Sequence, residues 1–211
     1  MTRPAPVVLG GRLVRLVRLE PLTADHVPGL AAAGAGNRSS FVFTHVPDGV
    51  ESAAEYVRQA SEDAGRGWAL PFATVLAHSG RVVGSTRFLD LGYWDDGRPR
   101  PPDVPVVAEI GWTWLAPDVQ GTGANTEAKL LMLTHAFEEW RARRVSLKTD
   151  ARNERSRAAI ERLGARYDGT LRCHMPAFGP GGGPRDSAFF SIVHQEWPEV
   201  KSHLETRLRS Y

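Results

Sequence analysis

Residues 106–140 read VVAEIGWTWLAPDVQGTGANTEAKLLMLTHAFEEW, and this stretch decides the fold. From Val106 the chain alternates with period two: Glu109, Gly111 and Thr113 fall on one side, Ile110, Trp112 and Trp114 on the other, the pattern of a strand with one bulky face. A turn, PDVQGTGAN, occupies 117–125. Leu130, Leu133, Phe137 and Trp140 then recur at helical spacing, which predicts a helix from Thr126 to Trp140. Two glycines, Gly121 and Gly123, stand just before that helix. Unpaired N–H groups and the positive end of the helix dipole favour an anion there, and glycines allow close backbone approach. The alternative is a plain tight strand-to-helix connection. GxxxxGK[ST] and GxGxxG are both absent, so an anion here would be held mainly by backbone.

Working outward, the apolar run around Leu13, Val14, Leu16, Val17 and Leu19, ended by Pro21, predicts an opening strand. A helix starting near Thr23 and Asp25 ends in Gly34-Ala35-Gly36-Asn37, and a second covers Glu51 to Ala64 before Gly65 and Gly67. WALPFATVLA and RVVGSTRFLDL, joined at Ser79-Gly80, predict a hairpin. Residues 92–105 have no periodicity and read as an excursion. After the central helix come a short strand, VSLKTD, and a helix capped by Asn153 and stopped by Gly164. A strand from Ala165 to Met175, a loop, AFGPGGGPRD, a strand, SAFFSIVHQ, and a C-terminal helix over about 196–208 complete the order. Strands alternate with helices around a mixed sheet, so the fold class is α/β (α+β mixed) in one domain, 1–211.

The composition limits the function classes. The 211 residues carry 26 Lys+Arg against 24 Asp+Glu, a net charge of +2, which is too small to predict a nucleic-acid partner. The one cysteine, Cys173, builds neither a disulfide nor a Cys-based metal cage and reads as a small core residue on its strand; a reducing, cytoplasmic setting is expected. No segment approaches the roughly 18 consecutive apolar residues of a membrane helix. Neither HExxH nor other paired-ligand spacing is present, so no metal is expected, and GxSxG is absent. Only three of the 26 bases are lysines. Between Arg141 and Arg172 ten Arg or Lys face four Asp or Glu, a local surplus of +6 that leaves the rest at −4. This basic sector is either a solvated helix face or a surface for an anionic ligand.

Strand, Gln120-Gly121-Thr122-Gly123, helix, strand, then Asn153-x-x-Ser156, Glu161 and Leu163-Gly164 resembles the GNAT superfamily of acetyl-CoA-dependent N-acetyltransferases. Its first motif is Q/R-x-x-G-x-G/A. The resemblance spans about residues 10–195 and is closest to the branch related to the ribosomal-protein N-terminal (RimJ/RimL-like) acetyltransferases, where N-x-x-S-x-x-x-x-E-x-x-G recurs. It implies a central, mixed, mostly antiparallel twisted sheet flanked by helices, with two strands splayed at the acetyl-CoA site. It also implies that backbone amides of Gln120, Gly121, Thr122, Gly123, Ala124 and Asn125 hold the CoA pyrophosphate, and that pantetheine lies between the strand ending at Trp114-Leu115 and the strand 145–150. Asn125 stands where the motif prefers Gly or Ala, so it either crowds the phosphate or sets an extra amide beside it. The Arg surplus places Arg152 and Arg157 as candidates for the CoA phosphates.

Acyl transfer to an amine needs a proton acceptor, oxyanion stabilisation and a donor for the leaving thiolate. Glu109 is the candidate base; as a lone strand carboxylate its alternative is a solvated surface group. Backbone near Leu115 would hold the thioester oxygen. Many members of the superfamily carry Tyr seven residues after the capping Asn; here that position is Ile160, so Ser156 is the candidate acid and Tyr167 a reserve. Ser156 and Asn153 are otherwise local helix-start residues, with Asn153 also implied to contact pantetheine. Trp112 and Trp114 read as core aromatics, the GPGGGP loop as a flap near the acceptor entrance, and Arg185-Asp186 as a structural turn pair. The expected reaction moves acetyl from acetyl-CoA to a primary amine, of a protein N-terminus or a small molecule, and a homodimer through the last strand and C-terminal helix is compatible with such a fold. The rivals are a non-catalytic acyl-CoA-binding regulatory module and a binder of another nucleotide.

Overall fold

The computed structural model describes residues 4–10, 16–178 and 181–211. Among these, seven strands form one sheet: β1 (Val17–Pro21), β2 (Ala69–Leu76), β3 (Val82–Gly92), β4 (Val107–Leu115), β5 (Arg144–Asp150), β6 (Arg166–Pro176) and β7 (Pro184–Val193), in the order β1-β2-β3-β4-β5-β7-β6. Every neighbouring pair is antiparallel except β4 with β5. The helices are α1 (Val27–Gly34), α2 (Gly49–Gly65), α3 (Ala124–Thr134), α4 (Glu154–Glu161) and α5 (Trp197–Leu208). The mixed, mostly antiparallel sheet flanked by helices is the architecture the resemblance implied. Of the expected opening strand, Leu13 and Val14 lie outside the described residues, as do Gly179 and Pro180 of the GPGGGP loop.

Helices α1 and α2 cover one face of the first strands, and α3 and α5 pack together on the other side. The spacing of apolar side chains explains the second layer. Phe137 stacks on Trp197 with ring centroids 5.3 Å apart, and Phe88 of β3 meets Trp140 at 4.6 Å. Beyond Thr134 the helix widens into a π-type turn over His135–Glu139, which extends the predicted segment to Trp140. The buried carboxylate of Glu127 accepts the amides of Leu16 (2.8 Å) and Val17 (2.6 Å), tying α3 to the start of β1. Arg100 donates to the carbonyls of Pro105 and Trp140 and pairs with Asp96, which Arg143 also holds at 2.6 Å. That network docks the excursion 92–105 on the segment 140–143 that follows the π-type turn.

Two expectations change. Cys173 is exposed. It sits with φ +50° at an irregularity of β6, the edge strand, whose side chains are open to solvent on both faces over most of its length. The alternation of β4 also breaks. Leu89 pairs with Glu109 and Arg87 with Gly111, but Ser85 pairs with Trp114, so one extra residue bulges at Trp112, which has φ +50°. A bulge resets the pleat, and from there Trp112 and Trp114 lie on the same face as Glu109 while Thr113 turns to the α3 side.

The β3–β4 contact at this bend leaves no room for a side chain. A Cβ on Gly84 would stand 2.1 Å from the Trp114 carbonyl oxygen, a backbone atom fixed by strand pairing. Gly84→Ala is therefore expected to cost about 1–3 kcal/mol, the usual range for overpacking, and to lower the thermal midpoint by several degrees in a calorimetric scan.

Candidate active site

The parallel pairing of β4 with β5 runs only from Val107↔Arg144 through Ala108↔Val145 to Glu109↔Ser146. Beyond Glu109 the strands part: β4 stays on β3, and β5 stays on β7 as far as Asp150↔Ser187. From Ile110 onward the β5-facing edge of β4 has no partner strand among the described residues. The opening is a cleft of about 510 Å³, bordered by 109–115 of β4, 147–149 of β5, the turn before α3 and one side of α4. Carbonyl and amide groups on an open strand edge need partners, and an extended amide-bearing ligand can supply them.

At one end lies the start of α3. Gly121 and Gly123 both have φ near +80°, a region glycine enters without strain, but they serve different ends. A Cβ on Gly121 would meet nothing within 4 Å, whereas one on Gly123 would strike the Tyr211 ring at 2.7 Å. Gln120, Gly121 and Asn125 line the cleft; Thr122, Gly123 and Ala124 are not among its lining side chains. Thr122 Oγ1 donates to the Val119 carbonyl and closes the turn. No side chain caps α3, so its first-turn amides stay open to an acceptor. Asn125 Oδ1 is buried without a hydrogen-bond partner among the described residues. Gln120 Nε2 donates to the Leu115 carbonyl (2.8 Å) and its Oε1 accepts from Arg155 (3.2 Å), a strut from the end of β4 to α4.

Asn153 caps α4, its Oδ1 accepting the Ser156 amide at 3.1 Å, and both residues line the cleft beside Ile160. The Ser156 hydroxyl has no hydrogen-bond partner among the described residues. Tyr167 is elsewhere: its hydroxyl meets Thr170 and its ring makes an edge contact with Phe190, outside the cleft. Arg157 is also set apart, bonded to the Ala151 carbonyl and lying over Tyr167. Arg152 is held bidentate by Asp150. The α4 arginine that borders the cleft is Arg155, two residues from the expected Arg157 and thus on another side of the helix.

The opposite end holds Glu109, 3% exposed and not a surface carboxylate. Lys148 of β5 donates to it at 2.8 Å and also pairs with Asp90 at 3.2 Å. Burial pushes the Glu109 carboxyl up to about 7 despite the opposing Lys148 charge. For Lys148, burial acts downward, but the Glu109 and Asp90 carboxylates prevail and hold the ammonium above its ordinary value. Behind β4, Lys129 of α3 is buried and donates to Thr113 (2.6 Å) and Thr86 (3.0 Å); burial lowers its amine to about 7. Sequence reading missed Lys148, Lys129 and Arg185 as members of this cleft. The alternation of VSLKTD held the signal for Lys148, since it shares parity with Ser146, the partner of Glu109. Trp114 is core, 4% exposed, in edge contact with Phe41 and Tyr56.

Comparison with known proteins places this geometry. The acetyltransferase (GNAT) domain model matches residues 16–166, so the chain belongs to the GNAT acetyltransferase family. A curated relative, YdaF of Bacillus subtilis, carries the provisional name of a ribosomal N-acetyltransferase and is 36% identical over 94 residues; the match spans 44% of this chain and about half, 49%, of YdaF. The structure of a GCN5-related N-acetyltransferase from Brucella melitensis is 29% identical, covers 97% of this chain and 86% of its own, and has a TM-score of 0.80. RimJ of Mycobacterium smegmatis, solved with CoA-disulfide, shares the fold at a TM-score of 0.78 and 22% identity, over 99% of this chain and 98% of its own.

The Glu109–Lys148 pair gives a direct test. Glu109 is expected to titrate at about 7, and Lys148→Met, which removes the facing charge, to move it higher still. Carboxyl-labelled 13C NMR measures both, and a wild-type midpoint near 4.5 contradicts the expectation.

Proposed function

We propose that this protein transfers the acetyl group of acetyl-CoA to a primary amine. The carrying observation is the cleft that opens where β4 leaves β5, running from the uncapped start of α3 along the open edge of β4 to Glu109. In this reading the amides of 121–125 receive the pyrophosphate, with Arg155 beside it. Pantetheine lies against the edge of β4 near Trp114-Leu115 and beside Asn153. The CoA complex of the RimJ neighbour supports the cosubstrate. The name of YdaF supports a protein N-terminus as one acceptor class, beside small-molecule amines; a cytoplasmic setting fits both.

Glu109 takes the proton that the amine sheds, directly or through one water, as nitrogen bonds the thioester carbon. Ser156 hands a proton to sulfur as the carbon–sulfur bond breaks. Glu109 at the parting point and an unengaged Ser156 hydroxyl in the same cleft favour catalysis over a purely regulatory CoA module.

Purified protein with acetyl-CoA and a panel of amines, including peptides with free N-termini, is expected to release CoA; no release above background overturns the reading. Glu109→Gln is expected to lower kcat by about 10²-fold or more, in the range of general-base catalysis, with CoA affinity retained. Because a protonated carboxyl cannot accept a proton, kcat/KM is expected to rise as pH passes upward through about 7. Lys129 titrates in the same range, so the limb belongs to Glu109 only if it vanishes in Glu109→Gln. Arg155→Ala is expected to weaken CoA binding roughly tenfold, by loss of one charge-assisted contact of about 1.5 kcal/mol.

A further inference from the structure

Arg185 is the second residue of β7, and its side chain is 8% exposed. Register sets its surroundings. Phe189 lies opposite Lys148 and Ser187 opposite Asp150, while Glu109 lies opposite Ser146 on the parallel side. With period-two alternation, Glu109, Lys148, Asp150, Ser187 and Arg185 therefore share one face of the sheet. Arg185 lines the same cleft as Glu109.

A buried guanidinium needs hydrogen-bond acceptors and, in a dry site, a counter-charge. Arg185 has little of either. Its Nε donates to Ser187 Oγ at 2.9 Å, and that hydroxyl meets His174 Nδ1 at 3.0 Å. Among the described residues no carboxylate lies within ion-pair distance of it. The nearby acids are engaged: Glu109 and Asp90 both with Lys148, Asp150 bidentate with Arg152, and Asp186 with the Cys173 amide at 2.8 Å. Burial lowers the Arg185 pKa against the pull of Asp150 and Glu109, but a guanidinium remains charged. A cation with no ion-pair partner among the described residues, its two terminal nitrogens without a side-chain or backbone acceptor there, thus stands at the Glu109 end of the cleft. Under the function proposed above, on which this inference rests, the CoA phosphates lie at the far end, by α3, and the thioester that reaches Glu109 is neutral. The acceptor is then the group that can bring a direct partner to this fork.

We propose that Arg185 binds a carboxylate of the amine acceptor, so that the enzyme selects amines that also carry a carboxylate. The planar fork matches the two carboxylate oxygens. His45, Trp112 and Phe178, with ring centroids 6.1–6.4 Å apart, wall the same end of the cleft and can pack the carbon skeleton between amine and acid. A polyamine offers this fork no carboxylate. Arg185 and Asp186 lie within β7 and not in a turn, and Asp186 accepts the Cys173 amide at the β6 irregularity.

The test uses matched acceptors. Free amino acids and C-terminally amidated peptides with an acidic first residue are each compared with their carboxamide isosteres, and a polyamine completes the set. Wild type is expected to favour the carboxylate members by on the order of 10–100-fold in kcat/KM, mostly through KM. In Arg185→Gln that ratio is expected to fall close to one, while Arg185→Lys keeps part of it, and both retain CoA affinity within about twofold. The amino-acid and peptide arms tell which source carries the carboxylate. Calorimetric titration of the CoA-bound protein with the same pairs reads the preference without turnover. If no acceptor is acetylated but the carboxylate preference in binding disappears in Arg185→Gln, the function proposed above fails and the Arg185 site stands. Turnover or binding without preference in wild type, or a preference unchanged in Arg185→Gln, overturns it.

Discussion

The short parallel pairing of β4 and β5 governs the molecule. A parallel pair inside a sheet would ordinarily continue until one strand ends, and here it stops after three rungs, at Glu109↔Ser146. The bulge at Trp112 shifts the register of β4 on β3, and Gly84 approaches the Trp114 carbonyl closely just beyond it. Antiparallel pairing with β7 carries β5 the other way. A strand edge left open in the middle of a sheet, and not at its border, creates a slot with backbone on both sides and an uncapped helix start at one end. The remaining features of the cleft follow from that divergence.

Electrostatics at the two ends differ in kind. At the α3 end the positive character comes from amides and from the exposed Arg155, so it is diffuse and suited to phosphate. At the Glu109 end individual charges are removed from water, and each is governed by its pairing. Glu109 at 3% exposure is shifted by burial more than its lysine partner can offset. Removing one member of such a pair strands the other, typically at about 3–5 kcal/mol, so Lys148 is both a structural partner and the group that tunes the carboxyl. Lys129 has hydroxyls and no carboxylate, which is why burial alone decides its shift.

Much of this was legible in the sequence. The apolar spacing from Leu130 to Trp140, the Asn153 cap, the Gly164 stop with φ +93° and the 92–105 excursion all correspond to observed elements. What the sequence did not reveal depends on pairing between distant segments. The bulge at Trp112 arises from the approach of β3, and WTW in isolation reads as regular alternation. Cys173 looked internal because a strand pattern does not say which strand becomes the edge. Arg155 and Arg157 differ only in which side of α4 faces the cleft, and that depends on how the helix docks. Lys148 and Arg185 join Glu109 through register between β4, β5 and β7, information that no single segment carries. The two motifs of the resemblance fall at the α3 and α4 end of the cleft, while its other end is written in residues separated by up to about 75 positions, from Glu109 to Arg185.

The central claim, that the parting of β4 from β5 is the ligand slot, is tested most directly by amide hydrogen exchange with and without saturating CoA. The account predicts slowed exchange at residues 110–115 of β4 and at 121–126 before and within α3. CoA binding that leaves both segments unchanged, or that protects only segments away from this cleft, would contradict it.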